Sequence, residues 1–548
     1  MNEKEFNLLD EPWIRVINEN CDIHEVSLIE LFEHAHIYKD LCGELPTQDF
    51  AMLRLLLAVL HTVFSRYDVN GDDLPLEDPD DALDRWEELW KSKKFPTEVI
   101  TSYLESQREN FYLFHPEKPF YQVAAISNFE KIPNGKYDAQ KLNGELSKSG
   151  HKDRLFASVS GIEKMSLSYN QAVRWLLYLN GFDDNALKAG AGLGWLGQLG
   201  LISLKGNNLF ETLMLNFILY NINEEDIWKK ENPVWEREDR ITTEKRHIKF
   251  PDNYSELYTL QSRRILLQRS ESRVIGYKIL GGDYFDKESA CYEPMTIWKL
   301  QSKKNIYVPK EHDVSMQFWR EFASFLPNKK IENGKGYAIP GVICWFEILF
   351  ESGLEMIDSD YFMKVKIASV KYCGNQRSSI ENTFSDLLQM HASLISDMRF
   401  EWRNMILNSI GFCDTIAKKV WSLAKDINLA SGGSNSTKES KGTSMLFAEN
   451  VKADFYNRID GPFRRWLCML NPNIDGITEK EIEWRKECVK IAKQLGNDII
   501  RQENPAAIFG RTKSNSENKN GDKKKNETFS AAKAINRFFS GLSAAENL

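Results

Sequence analysis

The segment of the chain with the most suggestive chemistry is a short polar run after a β-branched, strand-like stretch. Residues 372–379 read Tyr-Cys-Gly-Asn-Gln-Arg-Ser-Ser. The Gly374-Asn375 dipeptide accepts positive φ and predicts the turn of a hairpin. Such a tip would display amides, a guanidinium and two hydroxyls, which are groups that contact base edges and narrow minor grooves. Taken alone, however, the same pattern is more typical of an ordinary hydrophilic turn.

Basic residues are spread along two neighbouring stretches, 260–268 and 272–280, that we predict to be paired strands. These residues are Arg263, Arg264, Arg269, Arg273 and Lys278. A basic sheet face suits phosphate groups. Cross-strand pairing with acidic residues such as Glu271 would account for the same basic residues equally well. The sequence leaves both interpretations open.

A glycine-rich run at residues 192–197, Gly-Leu-Gly-Trp-Leu-Gly, matches the G-x-G-x-x-G pattern of dinucleotide-binding folds. Its context is wrong for that function, because it follows a predicted helix and lacks an acidic residue at a strand end about 20 positions downstream. A flexible backbone that approaches another chain or a nucleic-acid backbone closely is the better interpretation.

Motifs of hydrolases, kinases and metal sites are missing. The chain contains no H-E-x-x-H, Walker A or G-x-S-x-G sequence, and His312-Asp313 and Asp358-Ser-Asp360 lack the further ligands of a two-metal nuclease. We predict Glu311 and His312 to be a surface pair. We therefore expect no catalytic residue, no metal site and no cofactor.

Composition narrows the functional classes further. The chain has 548 residues with 71 Lys+Arg against 79 Asp+Glu, a formal net charge of −8, which gives no support to free-standing, non-specific nucleic-acid binding. Any contact with nucleic acid must be local or made beside more basic partners. The eight cysteines show no C-x-x-C spacing, which favours reduced thiols and a cytoplasmic location.

Membrane insertion and secretion are not expected. No apolar run reaches the roughly 18 residues of a membrane span. The best candidate, residues 52–60, contains Arg54 and predicts a buried helix. The N-terminus lacks the basic and apolar regions of a secretory signal.

The pattern of elements predicts an α+β protein: a large mixed α/β domain over 1–380, then an all-helical domain over 381–548 that ends in a basic tail. Ser27 and Glu30 form a capping-box pattern for a helix over 28–34, and a long helix is predicted from 47 or 48 to 64. The later helices are predicted over 383–408, 411–430, 447–470, 478–503 and 529–542. Residues 128–164, rich in Lys, Gly and Ser, predict a long, mobile, basic loop.

Taken together, these segments resemble one family, the large subunit (CasA) of the type I-E CRISPR Cascade surveillance complex. The resemblance extends over essentially the whole chain and rests on the order and number of its pieces. These are FNLLDEPWIRV (6–16), GELP…FAMLRLLLAVLH (43–61), FHPEKPFYQV (114–123), GWLGQLG with NLFETLMLN (194–216), PVWER (233–237), LQSRRI (260–265), EPMTIW (293–298) and YCGNQRSSI (372–380).

The resemblance implies a non-enzymatic subunit of an RNA-guided antiviral complex. In the family, the guide RNA reads the target by base pairing while this subunit recognises a short flanking motif, the PAM, of double-stranded target DNA from the minor groove. The subunit then starts duplex opening and helps to recruit a helicase–nuclease. The implied partners are the guide RNA and the backbone, small and 5′-end-capping subunits, and the C-terminal helices would be the family's four-helix bundle. The alternative is an assembly scaffold without direct base contact.

The resemblance also implies roles for individual residues at the DNA. Gln376 matches the glutamine that wedges into the duplex, and it is flanked by Gly374, Asn375 and Arg377. Many relatives carry a small residue where this chain has Arg377, which would add a phosphate or groove contact. The lysine finger of the family falls near Arg273 or Lys278, and this chain lacks the cysteine-rich zinc knuckle that some relatives have there.

Two loops of the family are matched more loosely. The glycine loop falls in or near residues 181–194, in a segment shorter than in many relatives. The loop that engages the 5′ end of the guide RNA falls within 150–167 and is also abbreviated. Its candidate residues are Lys152, Arg154, Ser160, Gly161 and Lys164.

Overall fold

We describe a computed structural model of the chain. The description leaves out residues 1–3, 129–135, 144–145, 149–151, 154–159, 184–192, 223–225, 286–291, 302, 305, 327–338, 353–356, 359, 374–378, 397–398, 435–441, 503–504, 514–526 and 547–548.

The α-helices are α1 (Leu28–His34), α2 (Pro46–Phe64), α3 (Pro79–Ser92), α4 (Thr97–Ser106), α5 (Ala139–Leu142), α6 (Ile162–Met165), α7 (Tyr169–Phe182), α8 (Leu209–Leu215), α9 (Tyr254–Tyr258), α10 (Gly341–Glu351), α11 (Phe400–Ala430), α12 (Thr443–Met469), α13 (Ile477–Arg501), α14 (Ala506–Phe509) and α15 (Ala531–Glu546). The strands are β1 (Glu5–Asn7), β2 (Ile14–Asn18), β3 (Ile23–Val26), β4 (Tyr38–Leu41), β5 (Tyr112–Phe114), β6 (Lys136–Asp138), β7 (Leu146–Lys148), β8 (Lys152–Asp153), β9 (Leu201–Lys205), β10 (His247–Ile248), β11 (Arg263–Ser270), β12 (Arg273–Gly281), β13 (Tyr284–Phe285), β14 (Trp298–Gln301), β15 (Ile306–Pro309), β16 (Phe362–Cys373), β17 (Ser379–His391), β18 (Arg511–Lys513) and β19 (Glu527–Phe529).

The chain forms two compact units, Met1–Leu388 and Gln389–Leu548. The first unit mixes helices with small sheets and the second consists mainly of helices, so the predicted α+β class is confirmed. The division falls after Leu388, whereas the sequence analysis drew it after residue 380. Part of this difference comes from residues 383–391, which belong to the strand β17 and not to the helix that we expected there.

Local sequence signals explain the first helices. At α1, the Ser27 hydroxyl accepts a hydrogen bond from the Glu30 backbone N–H at 3.1 Å, and the Glu30 carboxylate accepts one from the Ser27 N–H at 3.5 Å. This is the predicted capping box, which satisfies two otherwise unpaired donors. Helix α2 begins with Pro46 at its first turn, where a missing N–H costs nothing.

Helix α2 is buried along nearly its whole length. It is the one helix of the described chain that is long and apolar enough to cross a membrane, yet 94% of that stretch lies inside the fold. Arg54 in its middle forms a buried, bidentate ion pair with Glu293, at 2.6 and 3.0 Å. The prediction of a buried core helix around Arg54 is therefore confirmed.

Three three-stranded sheets organise the described part of the first unit. Their strand orders are β3-β2-β4, β11-β12-β6 and β17-β16-β9. The pair β11 and β12 is antiparallel, as expected for neighbouring strands, with Arg263 opposite Gly281 and Ser270 opposite Arg273. In the third sheet β16 lies in the middle, antiparallel to β9.

We predicted a long, mobile, basic loop over 128–164, but part of this segment forms regular elements. Its described residues include the short elements β6, α5, β7, β8 and part of α6. Strand β6 adds to the edge of β12 and places Lys136 opposite Lys278. Backbone pairing with an available sheet edge thus orders part of a polar stretch that has no apolar pattern of its own.

The described part of the second unit is built on four long helices. Helix α11 packs against α12, α13 and α15, and α13 also packs against α12 and α15. Aromatic rings at one end fill the space between α12 and α13, with Phe463 4.9 Å and Trp466 5.5 Å from Trp484 between ring centroids. Residues 400–408 of the first predicted helix (383–408) and the whole of the second (411–430) form a single helix, α11, with 31 residues.

Candidate nucleic-acid interface

The candidate interface centres on a hairpin formed by β16 and β17. These strands are neighbours in one sheet, and Lys371 on β16 lies 3.1 Å from Glu381 on β17 in an ion pair between them. Residues 374–378, which hold the predicted turn, lie between the two strands in the sequence, and the strand predicted before them is confirmed as β16. The predicted tip residues Gly374, Asn375, Gln376 and Arg377 lie outside the described residues.

The strand β16 is anchored by both apolar and charged contacts. Met363, Val365 and Ile367 are fully buried on one side. On the other side Lys366 lies 3.4 Å from Asp49 and 3.7 Å from Asp40. Burial lowers the pKa of Lys366, but the two carboxylates outweigh it and the net shift is upward. The hairpin strand is thus fixed to helix α2 and strand β4 by a largely buried charge cluster.

The root of the hairpin contacts the C-terminal end of α7. Tyr372, just before the predicted tip, donates a hydrogen bond from its hydroxyl to the backbone carbonyl of Phe182 at 2.8 Å. Phe182 is the last residue of α7 and lies at the start of the predicted glycine loop. The structure therefore brings together two regions that are about 190 positions apart in the sequence.

The two ends of the glycine segment, residues 181–194, lie next to each other in the fold. The backbone N–H of Gly194 donates to the carbonyl of Asp183 at 3.3 Å, and residues 184–192 between them lie outside the described part of the chain. A side chain at Gly194 would overlap the backbone carbonyl of Gly181. The last described element before the glycine-rich run is a helix, α7, and not the strand that a dinucleotide site requires.

A buried ion pair anchors the start of this segment. The Arg263 Nε lies 2.5 Å from Asp183 Oδ2, and both side chains are about 1% exposed. The backbone N–H of Arg263 also donates to Asn180 Oδ1 at 3.1 Å. Strand β11 therefore holds the end of α7 in place.

Three of the five predicted basic-strand residues are not available to phosphates. Arg263 is paired with Asp183, Arg264 lies 2.6 Å from Asp283 in the interior, and Arg269 forms an ion pair with Glu5. For these three arginines the phosphate-binding interpretation is wrong and pairing with acids is confirmed. The acids lie on other segments and do not include the cross-strand candidate Glu271.

Arg273 and Lys278 differ in their surroundings. The Arg273 guanidinium donates to the Ser166 hydroxyl at 2.6 Å and to its carbonyl at 3.0 Å. The Lys278 ammonium donates to the Ser127 carbonyl at 3.5 Å, at the surface. Arg273 is thus held by its own chain through two short bonds, while the Lys278 contact is longer and more exposed.

The two residues also lie at different distances from the glycine segment. Along β11, Arg263 marks the end next to that segment, and Lys278 and Arg273 lie opposite Leu266 and Ser270. At about 3.3 Å per residue these positions are about 10 Å and about 23 Å from Arg263. Lys278 is therefore the candidate closer to the glycine segment.

The predicted guide-RNA loop is only partly described. Lys152 belongs to β8, whereas Arg154 lies outside the described residues. Ser160 and Gly161 are exposed, Gly161 with a positive φ of 63° before the short helix α6, and Lys164 lies on that helix. Ser166, just after α6, is the residue that accepts from Arg273.

The described residues contain no group of three or more His, Cys, Asp or Glu side chains that could hold a metal ion. His312 is not in the surface pair with Glu311 that we predicted. It is buried, with Nδ1 3.1 Å from Glu321 and Nε2 2.9 Å from the Leu201 carbonyl. The contact with β9 explains the difference, because Leu201 is distant in sequence and Glu321 lies nine residues downstream.

Comparisons with known proteins give consistent results. A family model described as CRISPR-associated protein Cse1 matches residues 7–495. The chain is 32% identical over 336 residues to CRISPR-associated protein CasA/Cse1 of Thermus thermophilus, a match that spans 60% of this chain and 61% of that relative.

Solved structures extend the likeness to the whole fold. The crystal structure of Thermobifida fusca Cse1 matches with a TM-score of 0.79 and 26% identity, covering 99% of this chain and 98% of the other. A chain of a structure described as a CRISPR RNA-guided surveillance complex matches with a TM-score of 0.69 and 15% identity, covering 99% and 100%. At that identity the second likeness concerns the fold alone.

Proposed function

The chain belongs to the CRISPR-associated Cse1 (CasA) family, and from that premise we propose that it is the large, non-catalytic subunit of an RNA-guided Cascade surveillance complex. In this complex it recognises the PAM of double-stranded target DNA from the minor groove and starts duplex opening. The guide RNA then reads the target by base pairing, in the same division of labour as in unrelated RNA-guided effectors.

The observation that carries the proposal is the long hairpin with its polar connection. Two paired strands, Phe362–Cys373 and Ser379–His391, present residues 374–378 at their end. Gln376 in this connection acts as the wedge, with Asn375 and Arg377 beside it. Unstacking a base step costs a few kcal/mol, so a wedge must be held rigidly. The anchoring of β16 through Lys366 and Tyr372 supplies that rigid base.

The glycine segment and Lys278 complete the DNA contact. A glycine-rich backbone approaches the minor groove without side chains in the way, and a lysine on a nearby strand contacts groove or phosphate. We assign the finger role to Lys278, because its bond to Ser127 is long and at the surface and because it is the candidate closer to the glycine segment. Minor-groove readout is chemically degenerate, so several related PAM sequences are accepted.

Other parts of the chain serve assembly. The residues around α6, with Lys152, Arg154, Ser160, Gly161 and Lys164, engage the 5′ end of the guide RNA and its capping subunit. The helical unit Gln389–Leu548 contacts the small subunits. The subunit also helps to recruit the helicase–nuclease after target binding. The net charge of −8 is compatible with these roles because other subunits carry the guide RNA.

Replacement of the tip residues tests the proposal. A complex assembled with Gln376→Ala and Arg377→Ala should keep its subunit composition but bind PAM-containing duplex at least roughly tenfold more weakly, the equivalent of about 1.4 kcal/mol. Binding is measured by electrophoretic shift and composition by native mass spectrometry. Arg108→Ala, which also removes an arginine whose partners are Asp10 and Glu105, is the charge control. Unchanged DNA binding by the tip variant would favour a scaffold without base contact.

A further inference from the structure

Tyr372 occupies a contact point between the hairpin and the glycine segment. Its hydroxyl donates to the Phe182 carbonyl at 2.8 Å, at the C-terminal end of α7. The last carbonyls of a helix lack partners within the helix, so this bond satisfies one of them. A side chain that belongs to the hairpin thereby completes the helix from which the glycine segment emerges.

The third glycine of the 192–197 run is required by the same tyrosine. A Cβ atom at Gly197 would overlap the Tyr372 hydroxyl and lie 2.9 Å from ring atom Cζ. Only glycine therefore leaves room for the ring between the 3₁₀ turn Leu196–Gln198 and the end of α7. Since the dinucleotide interpretation is rejected, this close approach to Tyr372 is what explains the glycine at position 197.

The same region is closely packed on its other side. A Cβ atom at Gly181 would come within 2.6 Å of the Leu196 side chain. The Trp195 indole N–H donates to buried Glu293 at 2.9 Å, which is itself paired with Arg54. The turn after the glycine segment is thus fixed to the core, and Tyr372 connects that fixed turn to the hairpin.

We infer that Tyr372 is a positioning residue that makes the hairpin tip and the glycine segment approach DNA as one unit. The inference rests on the proposed function, since it assigns both elements to the same duplex. With the hydroxyl bond and the ring in place, the tip and the glycine segment keep a fixed spacing, so both contact the duplex at the same time. Without them the tip still exists but its position relative to the segment varies, and part of the binding free energy is used to restore it.

Two targets separate this role from general stability. One is a fully paired PAM-containing duplex, and the other carries mismatches that open the first protospacer base pairs. The complex with Tyr372→Phe should bind the paired duplex roughly three- to tenfold more weakly, as expected for loss of one hydrogen bond. Its affinity for the opened target should stay within about twofold of the wild type, because opening no longer has to be performed.

Gly197→Ala displaces the same ring and should give the same selective loss. The double variant should be no worse than the more affected single one, because both changes remove one contact. Tyr361→Phe is the matched control, since it removes a hydroxyl bonded to Glu211 at 3.3 Å just before the opposite end of β16. This control should bind both targets as the wild type does.

The affinity of the Gln376→Ala complex for the same two targets separates a failure of the positioning role of Tyr372 from a failure of the proposed function. If Gln376→Ala loses paired duplex selectively while Tyr372→Phe and Gly197→Ala do not, the positioning role is overturned and the wedge remains. An equal loss of affinity for both targets in the Tyr372→Phe complex would also overturn the positioning role, because it would indicate a general structural effect. If Gln376→Ala shows no selective loss, the proposed function itself fails.

Discussion

Lys366 of the hairpin strand and Asp49 of the core helix α2 form an ion pair, with Nζ 3.4 Å from Oδ2. Asp49 also accepts a hydrogen bond from the Gly43 backbone N–H at 2.7 Å. Burial raises the pKa of Asp49, and Lys366 offsets part of that shift. The stability of the sheet that contains the hairpin is therefore coupled to the ionisation of Asp49, a residue far from the hairpin in sequence.

Loss of this lysine should destabilise the first unit. Lys366→Met leaves Asp49 and Asp40 mostly buried with one fewer cation, which typically costs about 3–5 kcal/mol; Lys205, at 2.6 Å from Asp40, reduces that cost. Chemical denaturation of the isolated chain measures the loss. Lys364→Met is the matched control on the same strand, because its ammonium donates to the amide oxygen of Asn207 at the surface, at 2.9 Å. Equal stability of the two variants would contradict the account of the cluster.

The buried carboxylate of Glu231 predicts a pH dependence of folding. Burial raises its pKa from 4.5 to about 7, despite a hydrogen bond from the Ser255 backbone N–H at 2.7 Å. The native state therefore holds a proton that the unfolded chain releases at lower pH. The resulting contribution to stability is fully present below 4.5 and is lost as the pH rises through about 7.

Glu231→Gln should remove this loss. At about pH 8.5 its free energy of unfolding should exceed that of the wild type by up to about 3 kcal/mol, whereas below about pH 4.5 the two should be nearly equal. Denaturant titrations at several pH values provide the measurement. Glu238→Gln, at an exposed glutamate of the adjacent 3₁₀ helix, should follow the wild type at each pH. A Glu231→Gln curve parallel to the wild-type curve would be inconsistent with a shifted carboxyl.

The two candidate finger residues should behave differently in salt. Binding of the complex to duplex DNA falls with salt in proportion to the phosphates neutralised, so removal of a contacting lysine should reduce the slope by about one. Lys278→Ala should show that reduction. Arg273→Ala should instead lower thermal stability, because the bonds to Ser166 at 2.6 and 3.0 Å are lost. The assignment is wrong if Arg273→Ala changes the slope and Lys278→Ala does not.

Elements with local signals could be predicted from the sequence. The capping box at Ser27 and Glu30, the apolar helix around Arg54 and the strand before Tyr372 all depend on neighbouring residues, and all are present. The strand over residues 383–391 could not be predicted, because the helix-favouring Leu387 and Met390 are overridden by pairing with β16.

The candidate site shows the same limit. The turn at Gly374 stays a prediction, since it lies outside the described residues. The roles of Arg263 and Arg264 could not be predicted, because their partners Asp183 and Asp283 lie on other segments. Tyr372 was overlooked for the same reason. Its only sequence signal is an aromatic residue directly before a polar turn, and its partner Phe182 is 190 positions away.

The central claim, that Gln376 starts opening of the duplex, is tested most directly by a fluorescent base analogue at the first protospacer position of a PAM-containing duplex. With saturating wild-type complex, the fluorescence should rise as that base loses its stacking. With Gln376→Ala the rise should be at least roughly tenfold slower, because a few kcal/mol of unstacking are no longer offset by the wedge. A Gln376→Ala complex that opens the duplex at the wild-type rate would contradict the account.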